Sequence, residues 1–346
     1  MHSFDINTQR IGFACKWIDD ASQISGIKPR DPARLLNTST TTVAWLNRQT
    51  RDVAEQKLWD LMVWNIESIR LLVERIGGLH ENLRMVRLGS DILPVFTEPT
   101  WSYFYQRSDV REYCANHFAR VGDIARRHNV RLSFHPGQFC VLASSDPGIV
   151  ERSIEEFEYH AQMAAWMGYG RSFQDFKINI HISGRQGPEG LRAAWKRLSP
   201  EAKNCITVEN EEMTHGLDLC LDVSDIVPVV LDIHHHWVRE GEYILPTDVR
   251  VQRVIDSWRG VRPAMHYSLT CEEYVTDHAQ DVRPCRNTLM EAGINKQKLR
   301  THSDWYWNRA SNDWALSFWP QFDIMCESKA KNLASFALYE QARNRA

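Results

Sequence analysis

Eight short, mostly apolar runs recur along the chain, each bounded by polar or turn-forming residues. They span residues 11–15, 85–90, 130–136, 176–183, 205–211, 227–235, 261–268 and 321–329. Short apolar runs of this kind are typical of strands that are buried on both faces, as in a parallel sheet. The pattern therefore predicts eight buried strands.

Between these runs, apolar residues recur at spacings of three and four, which is typical of amphipathic helices. The clearest helix is predicted over 52–77, where a glycine pair at Gly77 and Gly78 ends the pattern. Further helices are predicted over 109–128, 149–168, 188–198, 214–226, 246–259 and 331–344. Strand and helix alternate throughout, which predicts a parallel sheet closed on itself, an α/β fold of the (β/α)8 TIM-barrel type.

An open, doubly wound sheet is the alternative, but such sheets usually carry a glycine-rich loop after the first strand. Here the first run leads into Lys16, Trp17 and Ile18 instead. Two connections are long, residues 16–51 after the first strand and residues 269–320 after the seventh, the second with a helical stretch near 286–300. We find no linker-like segment and no repeat, so one domain over 1–346 is predicted.

Composition narrows the class of protein only a little. The chain is 43% hydrophobic and has a formal net charge of -3, so binding to nucleic acid would depend on a local basic patch or on bound cations. The eight cysteines form no Cys-x-x-Cys pair, which favours reduced thiols. No apolar run approaches the roughly 20 residues of a membrane span. No secretory signal is visible at the amino terminus, so we expect a cytoplasmic protein without a membrane or obligate protein partner.

Potential metal ligands follow most of the predicted strands. In a barrel, catalytic groups lie at the carboxyl ends of the strands, so these side chains should converge. Imidazole and carboxylate ligands suit manganese, zinc, cobalt or iron, and the set is large enough for two or three divalent ions roughly 3.5–4 Å apart. The predicted ligands are His135, His181, Glu209, Asp232, His235, His266, His302, Glu327 and, less centrally, Asp91.

Several interpretations of this set remain open. A lone histidine at a strand end is more often a hydrogen-bonded structural group, and His234 and His236 should point away from His235 because strand side chains alternate. As a set, the ligands predict metal-dependent chemistry. A phosphodiester hydrolase would use Glu209 or Glu327 as bridging carboxylates and an activated hydroxide as the nucleophile. A sugar isomerase or epimerase, an iron oxygenase and a non-catalytic binding module are the alternatives.

Seven motifs in this chain resemble those of the UV-damage endonuclease family, in order and over nearly the whole length. They are His135-Pro-Gly-Gln138, Asn179-Ile-His181, Thr207-Val-Glu209-Asn210, Leu231-Asp-Ile-His-His235, Met265-His266, His302-Ser-Asp304 and Glu327-Ser-Lys-Ala-Lys331. The resemblance implies a metal-dependent barrel enzyme that nicks damaged duplex DNA on the 5′ side of UV photoproducts, with abasic sites as further substrates. It also implies that eight of these nine residues, all but Asp91, bind the metal.

The resemblance further implies a loop, with Gln138 and Phe139, that enters the duplex at the lesion. Filling the gap left by a damaged base would offset an unstacking cost of a few kcal/mol, although core packing is an equal alternative for Phe139. Lys329 and Arg87 could neutralise charge on the phosphoryl oxygens, with a structural ion pair as the alternative for Arg87. The chain departs from the family pattern at Phe13, Trp17, Asp91, Phe139 and Ala264. Phe13 and Trp17 occupy substrate-facing positions of that pattern.

Overall fold

Eight parallel strands form a closed barrel, as predicted. The structure is a computed structural model and describes residues 4–345, so residues 1–3 and 346 of the predicted domain lie outside the described residues. Each strand pairs with its neighbours in the chain, and β1 closes the barrel against β8. The strands are β1 (Ile11–Cys15), β2 (Met85–Leu88), β3 (Arg131–Phe134), β4 (Lys177–His181), β5 (Ile206–Glu209), β6 (Val229–Asp232), β7 (Ala264–Tyr267) and β8 (Asp323–Cys326).

Helices cover the outside of the barrel and fill the long connections. Among the described residues, none of them combines the length and the apolar character that crossing a bilayer requires. The helices are α1 (Val43–Leu46), α2 (Arg51–Gly77), α3 (Ser108–Arg127), α4 (Pro147–Trp166), α5 (Gly187–Arg197), α6 (Pro200–Cys205), α7 (Leu217–Leu221), α8 (Ile233–Glu240), α9 (Val249–Ser257), α10 (Arg286–Glu291), α11 (Lys296–Leu299), α12 (Arg309–Leu316) and α13 (Lys331–Arg343).

The long helices begin and end close to the predicted positions, whereas several strands are shorter than their apolar runs. The run over 205–211 begins inside α6, whose first turn is capped by the Ser199 side chain and carries Pro200 at its first position. The long connection after β1 carries α1, and that after β7 carries α10, α11 and α12. All eight cysteines are free thiols, in agreement with the predicted reduced state.

Alternation along the strands separates two layers of the core. One set of side chains points outward and packs under the helices, for example Phe134 on β3, Ile180 on β4 and Val208 on β5. The alternate set points into the barrel, where Ala14, Met85 and Met325 form a small apolar cluster. The other interior side chains are polar on most strands. The barrel axis is therefore lined by buried polar groups, which need hydrogen-bond or ionic partners.

The amino-terminal mouth of the barrel is closed by an ion cluster around Asp323. Its carboxylate accepts hydrogen bonds from Arg131 at 2.7 Å and from Arg262 at 2.8 Å, and the Arg10 guanidinium lies 3.7 Å away. The Asp323 side chain is fully buried. This end is therefore plugged, and a substrate can approach the axis only from the carboxyl ends of the strands.

Candidate metal centre

Eight of the nine predicted ligands lie in one cluster at the carboxyl ends of the strands. Those at the ends of β3 to β8 occupy interior-facing positions, one residue beyond an outward-facing core side chain. This is the arrangement that strand alternation requires if the ends of six strands are to share one centre. The clustered residues are His135, His181, Glu209, Asp232, His235, His266, His302 and Glu327.

One compact group consists of His135, His181 and Glu209, whose potential ligand atoms all lie within 4.8 Å of one another. The Nδ1 atom of His135 lies 2.9 Å from the Pro136 carbonyl oxygen, so this nitrogen donates a hydrogen bond there. The other nitrogen, Nε2, lies 3.5 Å from Glu209 Oε2. The backbone contact thus orients the other ring nitrogen, Nε2, towards the carboxylate.

A second group consists of Glu209, Asp232 and His266, and it shares the Glu209 carboxylate with the first. His266 Nδ1 lies 3.0 Å from Glu209 Oε2 and 3.3 Å from Glu327 Oε1. The same Glu209 oxygen, Oε2, thus faces a histidine of each group. Glu209 is therefore the residue that two ions would share.

The residues present fit bound cations because several buried ligand atoms have no other partner. Among the described residues, no hydrogen bond reaches His181 Nδ1, Glu209 Oε1, Asp232 Oδ2 or His266 Nδ1, and all four atoms are buried. Leaving a buried polar atom without a hydrogen bond costs about 1–3 kcal/mol. Four such atoms within two overlapping groups are accounted for if divalent ions are their partners.

The protonation states of His181, His266 and Glu209 also suit metal binding. Burial lowers the pKa of His181 and of His266 to about 4, so both imidazoles are neutral at pH 7. Burial alone would raise the pKa of Glu209, but the imidazoles of His266 and His181 lower it well below its usual range. Neutral imidazoles and ionised carboxylates are the forms that bind metals.

Polar side chains below the cluster fix the Glu209 carboxylate. The Asn179 amide donates a hydrogen bond to Glu209 Oε2, and the Thr207 hydroxyl donates to Asn179 Oδ1 at 2.7 Å. All three residues are fully buried. Partners of this kind orient a metal ligand and commonly affect metal affinity 10- to 100-fold, by order of magnitude.

Two basic side chains, the half-buried Arg87 and the buried Lys177, support the other side of the cluster. The Arg87 guanidinium donates a hydrogen bond to Glu327 Oε1, and this pairing, together with the nearby His266, outweighs burial and keeps the pKa of Glu327 well below its usual range. The Lys177 amine lies 3.0 Å from His266 Nε2. Burial lowers the pKa of Lys177 to about 7. Sequence reasoning missed Lys177 and Asn179, although both lie on the interior face of β4, four and two residues before His181.

His235 lies in the first turn of a helix, and the predicted strand over 227–235 is wrong beyond residue 232. The strand β6 ends at Asp232, and α8 begins at Ile233 because the Asp232 side chain accepts a hydrogen bond from the backbone of His235, 2.6 Å away. This is an N-cap. Alternation therefore does not explain why His234 points away, and its ring instead hydrogen-bonds with Ser268 at 2.8 Å.

Carboxylates surround His235 in its helical position. Burial opposes protonation of the ring, but the neighbouring Asp232, Glu209 and Glu212 carboxylates outweigh burial and raise the pKa of His235 to about 9. The other flanking histidine, His236, contacts Glu242 at 3.2 Å, outside the cluster. Only the middle histidine of the three thus faces the proposed ions.

Three predicted residues lie at the margin of the site. His302 is one-third exposed, and its Nε2 lies 4.0 Å from Glu327 Oε2. Asp91 is exposed and belongs to neither compact group. It lies near Glu156 instead, where burial raises the pKa of Glu156 and the charge of Asp91 raises it further. Lys329 is half-exposed and pairs with Asp304 at 3.0 Å.

The loop after β3 carries Phe139 on its surface. Its side chain is 84% exposed, so the structure does not support core packing for this ring. Gln138 is also exposed, and both residues line a cleft of about 340 Å³ together with His135 and His181. The loop therefore borders the metal ligands directly.

Phe13 and Trp17 are buried, in contrast to Phe139. The two rings contact each other edge-on at 5.9 Å, and Trp17 also contacts Phe336 of α13. Phe13 points outward from β1 into the layer between barrel and helices, because Ala14 takes the interior position. In this structure neither ring is available to a bound DNA strand.

The chain is similar to known proteins over most of its length. The family model described as UV-endonuclease UvdE matches residues 9–345. The UV DNA damage endonuclease of Bacillus cereus (strain G9842) is 26% identical over 313 residues, which cover 87% of this chain and 88% of that protein. The UV-damage endonuclease of Schizosaccharomyces pombe is 25% identical over 346 residues, which cover 95% of this chain and 50% of that protein.

A solved structure shares the fold. The crystal structure of SacUVDE superimposes with a TM-score of 0.70 and 19% sequence identity, covering 97% of this chain and 99% of that one. This likeness supports the barrel architecture over the whole described chain. On the match over residues 9–345, the chain belongs to the UV-endonuclease UvdE family.

Proposed function

We propose that this chain is a DNA repair endonuclease that cuts the phosphodiester backbone of damaged duplex DNA on the 5′ side of UV photoproducts, and of abasic sites as further substrates. It would depend on two or three divalent ions, with manganese as the first candidate. The observation that carries this proposal is the pair of overlapping ligand groups that share Glu209 and contain four buried atoms without hydrogen bonds.

The protein would hold the ions with its imidazoles and carboxylates and orient these ligands with buried partners. His135, His181 and Glu209 would hold one ion, and Glu209, Asp232, His266 and Glu327 a second. A third ion would lie near His235 and His302. Bound divalent ions supply Lewis acidity and activation of water, the chemistry that phosphodiester hydrolysis requires.

Two basic side chains, Arg87 and Lys329, would contribute positive charge of their own near the substrate. Arg87, held against Glu327, adds positive charge beside the position where a phosphoryl group would develop negative charge. Lys329 lies at the rim with its amine paired to Asp304, and a phosphate could exchange for that carboxylate at low cost because the pair is exposed. The plugged opposite end leaves the cluster as the only approach along the described barrel axis.

The exposed ring of Phe139 fits a role in recognising damage. A large apolar side chain with 84% exposure is unfavourable in water and gains from entering a base stack. Damaged bases cost least to unstack, so the loop would enter the duplex preferentially at a lesion. Gln138, beside it, offers an amide to the unpaired base edges.

A nicking assay tests this function. The protein is freed of metal by chelation, reloaded with Mn²⁺, and incubated with supercoiled plasmid that has or has not been UV-irradiated. We expect nicking of the irradiated plasmid only, restored by Mn²⁺ or Co²⁺ and abolished in Glu209→Gln. Loaded protein that leaves both photoproducts and abasic sites intact would contradict the proposed substrate.

A further inference from the structure

His235 presents one ring nitrogen to a carboxylate that the ligand set above does not include. Its Nδ1 atom lies 3.0 Å from the backbone carbonyl oxygen of Asn210 and donates a hydrogen bond there. Nε2 is then the nitrogen left for an ion, which would displace the proton that the neighbouring carboxylates hold on the ring. The nearest charged atom on that side is Glu212 Oε2, at 3.7 Å.

Glu212 is a buried carboxylate whose second oxygen faces the His235 ring. It lies in the connection after β5, and its side chain is 6% exposed. Oε1 accepts a hydrogen bond from Arg300 at 2.9 Å, whereas Oε2 lies 3.7 Å from His235 Nε2. Cations balance this carboxylate in the metal-free chain, and an ion that displaces the proton of His235 would take over that role at Oε2.

The spacing of the two atoms suits a shared ion. With metal–ligand bonds of about 2.1 Å, two ligands of a tetrahedral ion lie roughly 3.4 Å apart. The observed 3.7 Å between His235 Nε2 and Glu212 Oε2 is close to this value and too long for a hydrogen bond. His235 Nε2 and Glu212 Oε2 thus lie at a separation that allows one ion to bind both atoms.

We infer that Glu212 is an additional metal ligand, which together with His235 binds one of the divalent ions of the centre. This deepens the proposed function, on which it rests. Arg300, which is half-exposed, would hold the carboxylate in place through Oε1 and leave Oε2 to the ion. The site would therefore be partly built by a residue from the β5–α7 connection.

The test is metal binding to the full chain without DNA. Metal-free wild-type protein and Glu212→Gln are titrated with Mn²⁺, and the number and affinity of bound ions are measured by calorimetry and by metal analysis after dialysis. We expect Glu212→Gln to bind one class of ion at least tenfold more weakly, with the other ions unchanged. Equal binding by the variant and the wild type would overturn the inference.

Two control variants separate a ligand from an ion-pair partner. Glu211→Gln removes the adjacent carboxylate, which interacts with Thr214 instead, and should bind Mn²⁺ like the wild type. Arg300→Gln removes the ion pair and should retain the ion; the same loss as in Glu212→Gln would mean that Glu212 only anchors Arg300, which also overturns the inference. If Glu212→Gln does not fold, Glu212→Asp keeps the charge but shortens the reach, and unaltered affinity in that folded variant would count against a ligand role.

The outcome is distinguishable from failure of the proposed function. If the wild type binds Mn²⁺ through Glu212 but does not nick irradiated DNA, the proposed substrate is wrong and the ligand role of Glu212 stands. If the wild type nicks irradiated DNA while Glu212→Gln binds all ions normally, the proposed function stands and the ligand role of Glu212 is wrong.

Discussion

Lys177 is the least expected of the polar side chains that point into this barrel. A buried amine beside an imidazole is unusual because burial penalises its charged form. It lies between the Asp323 ion cluster and the proposed metal centre, on the same interior face as Asn179 and His181. Its effect on the fold should therefore depend strongly on pH.

Lys177→Met should stabilise the metal-free protein more at pH 6 than at pH 9.5. The pKa of Lys177 is about 7 in the folded chain and close to 10.5 in the unfolded chain, so protonation favours unfolding. This destabilisation is complete below pH 7 and disappears as the pH rises towards 10.5. Its size is of the order of several kcal/mol.

Urea unfolding of both proteins at the two pH values measures this difference. A stability difference between variant and wild type that is the same at pH 6 and pH 9.5 would mean that Lys177 titrates normally.

Glu327→Gln should abolish DNA nicking and lower the metal content while the fold is retained. The amide has nearly the same size but cannot carry the charge that attracts a cation, and it leaves Arg87 without its partner. Metal analysis, circular dichroism and the nicking assay measure the three properties. Glu340→Gln, an exposed change on α13, is the matched control; nicking by Glu327→Gln at the rate of this control would remove Glu327 from the site.

At the scale of elements, the ends of the strands could be predicted because interior residues alternate and potential ligands follow apolar runs. The start of α8 could not be predicted in this way. The run over 227–235 is apolar enough for a strand, and periodicity does not distinguish a short buried strand from a buried helix segment. The sequence did carry a signal for this helix start: Asp232, three residues before His235, is an N-cap residue as well as a proposed ligand. Glu212 was missed because it belongs to a connection rather than a strand.

The β3–α4 loop is the element that should read damage, so Phe139→Ala should reduce discrimination between damaged and intact duplex. Removing an 84% exposed ring costs little folding stability, so loss of recognition will not reflect unfolding. Discrimination is the dissociation constant for intact duplex divided by that for irradiated duplex, both measured with metal-loaded protein. We expect this ratio to fall about tenfold, the effect of 1.4 kcal/mol.

Two further variants define the role of the ring. Phe139→Tyr keeps a flat ring and should retain the discrimination. Val249→Ala removes another exposed apolar side chain, on α9, and should also leave it intact. Unchanged discrimination in Phe139→Ala would show that the ring does not enter the duplex.

For the whole molecule, the closed barrel explains why the fold could be predicted and the substrate-facing surface only in part. Eight alternating segments permit few topologies, whereas the exposure of a single ring depends on loop conformation. Phe13 and Trp17 illustrate this limit: the sequence marks both as departures from the family pattern, but only the packing of α13 against β1 shows that they are buried. Asp91 likewise follows β2 yet is exposed and belongs to neither ligand group.

The overall charge of -3 also becomes consistent with a DNA partner once cations are counted. Two or three divalent ions would add roughly four to six positive charges at the open end of the barrel, where the phosphate backbone would lie. Metal binding would therefore support both chemistry and DNA affinity.

Anomalous diffraction from crystals of the Mn²⁺-loaded protein tests the central claim most directly. We predict one peak among His135, His181 and Glu209, and a second among Glu209, Asp232, His266 and Glu327, roughly 3.5–4 Å apart. Full-occupancy Mn²⁺ soaks that produce no peak between these side chains would contradict the account.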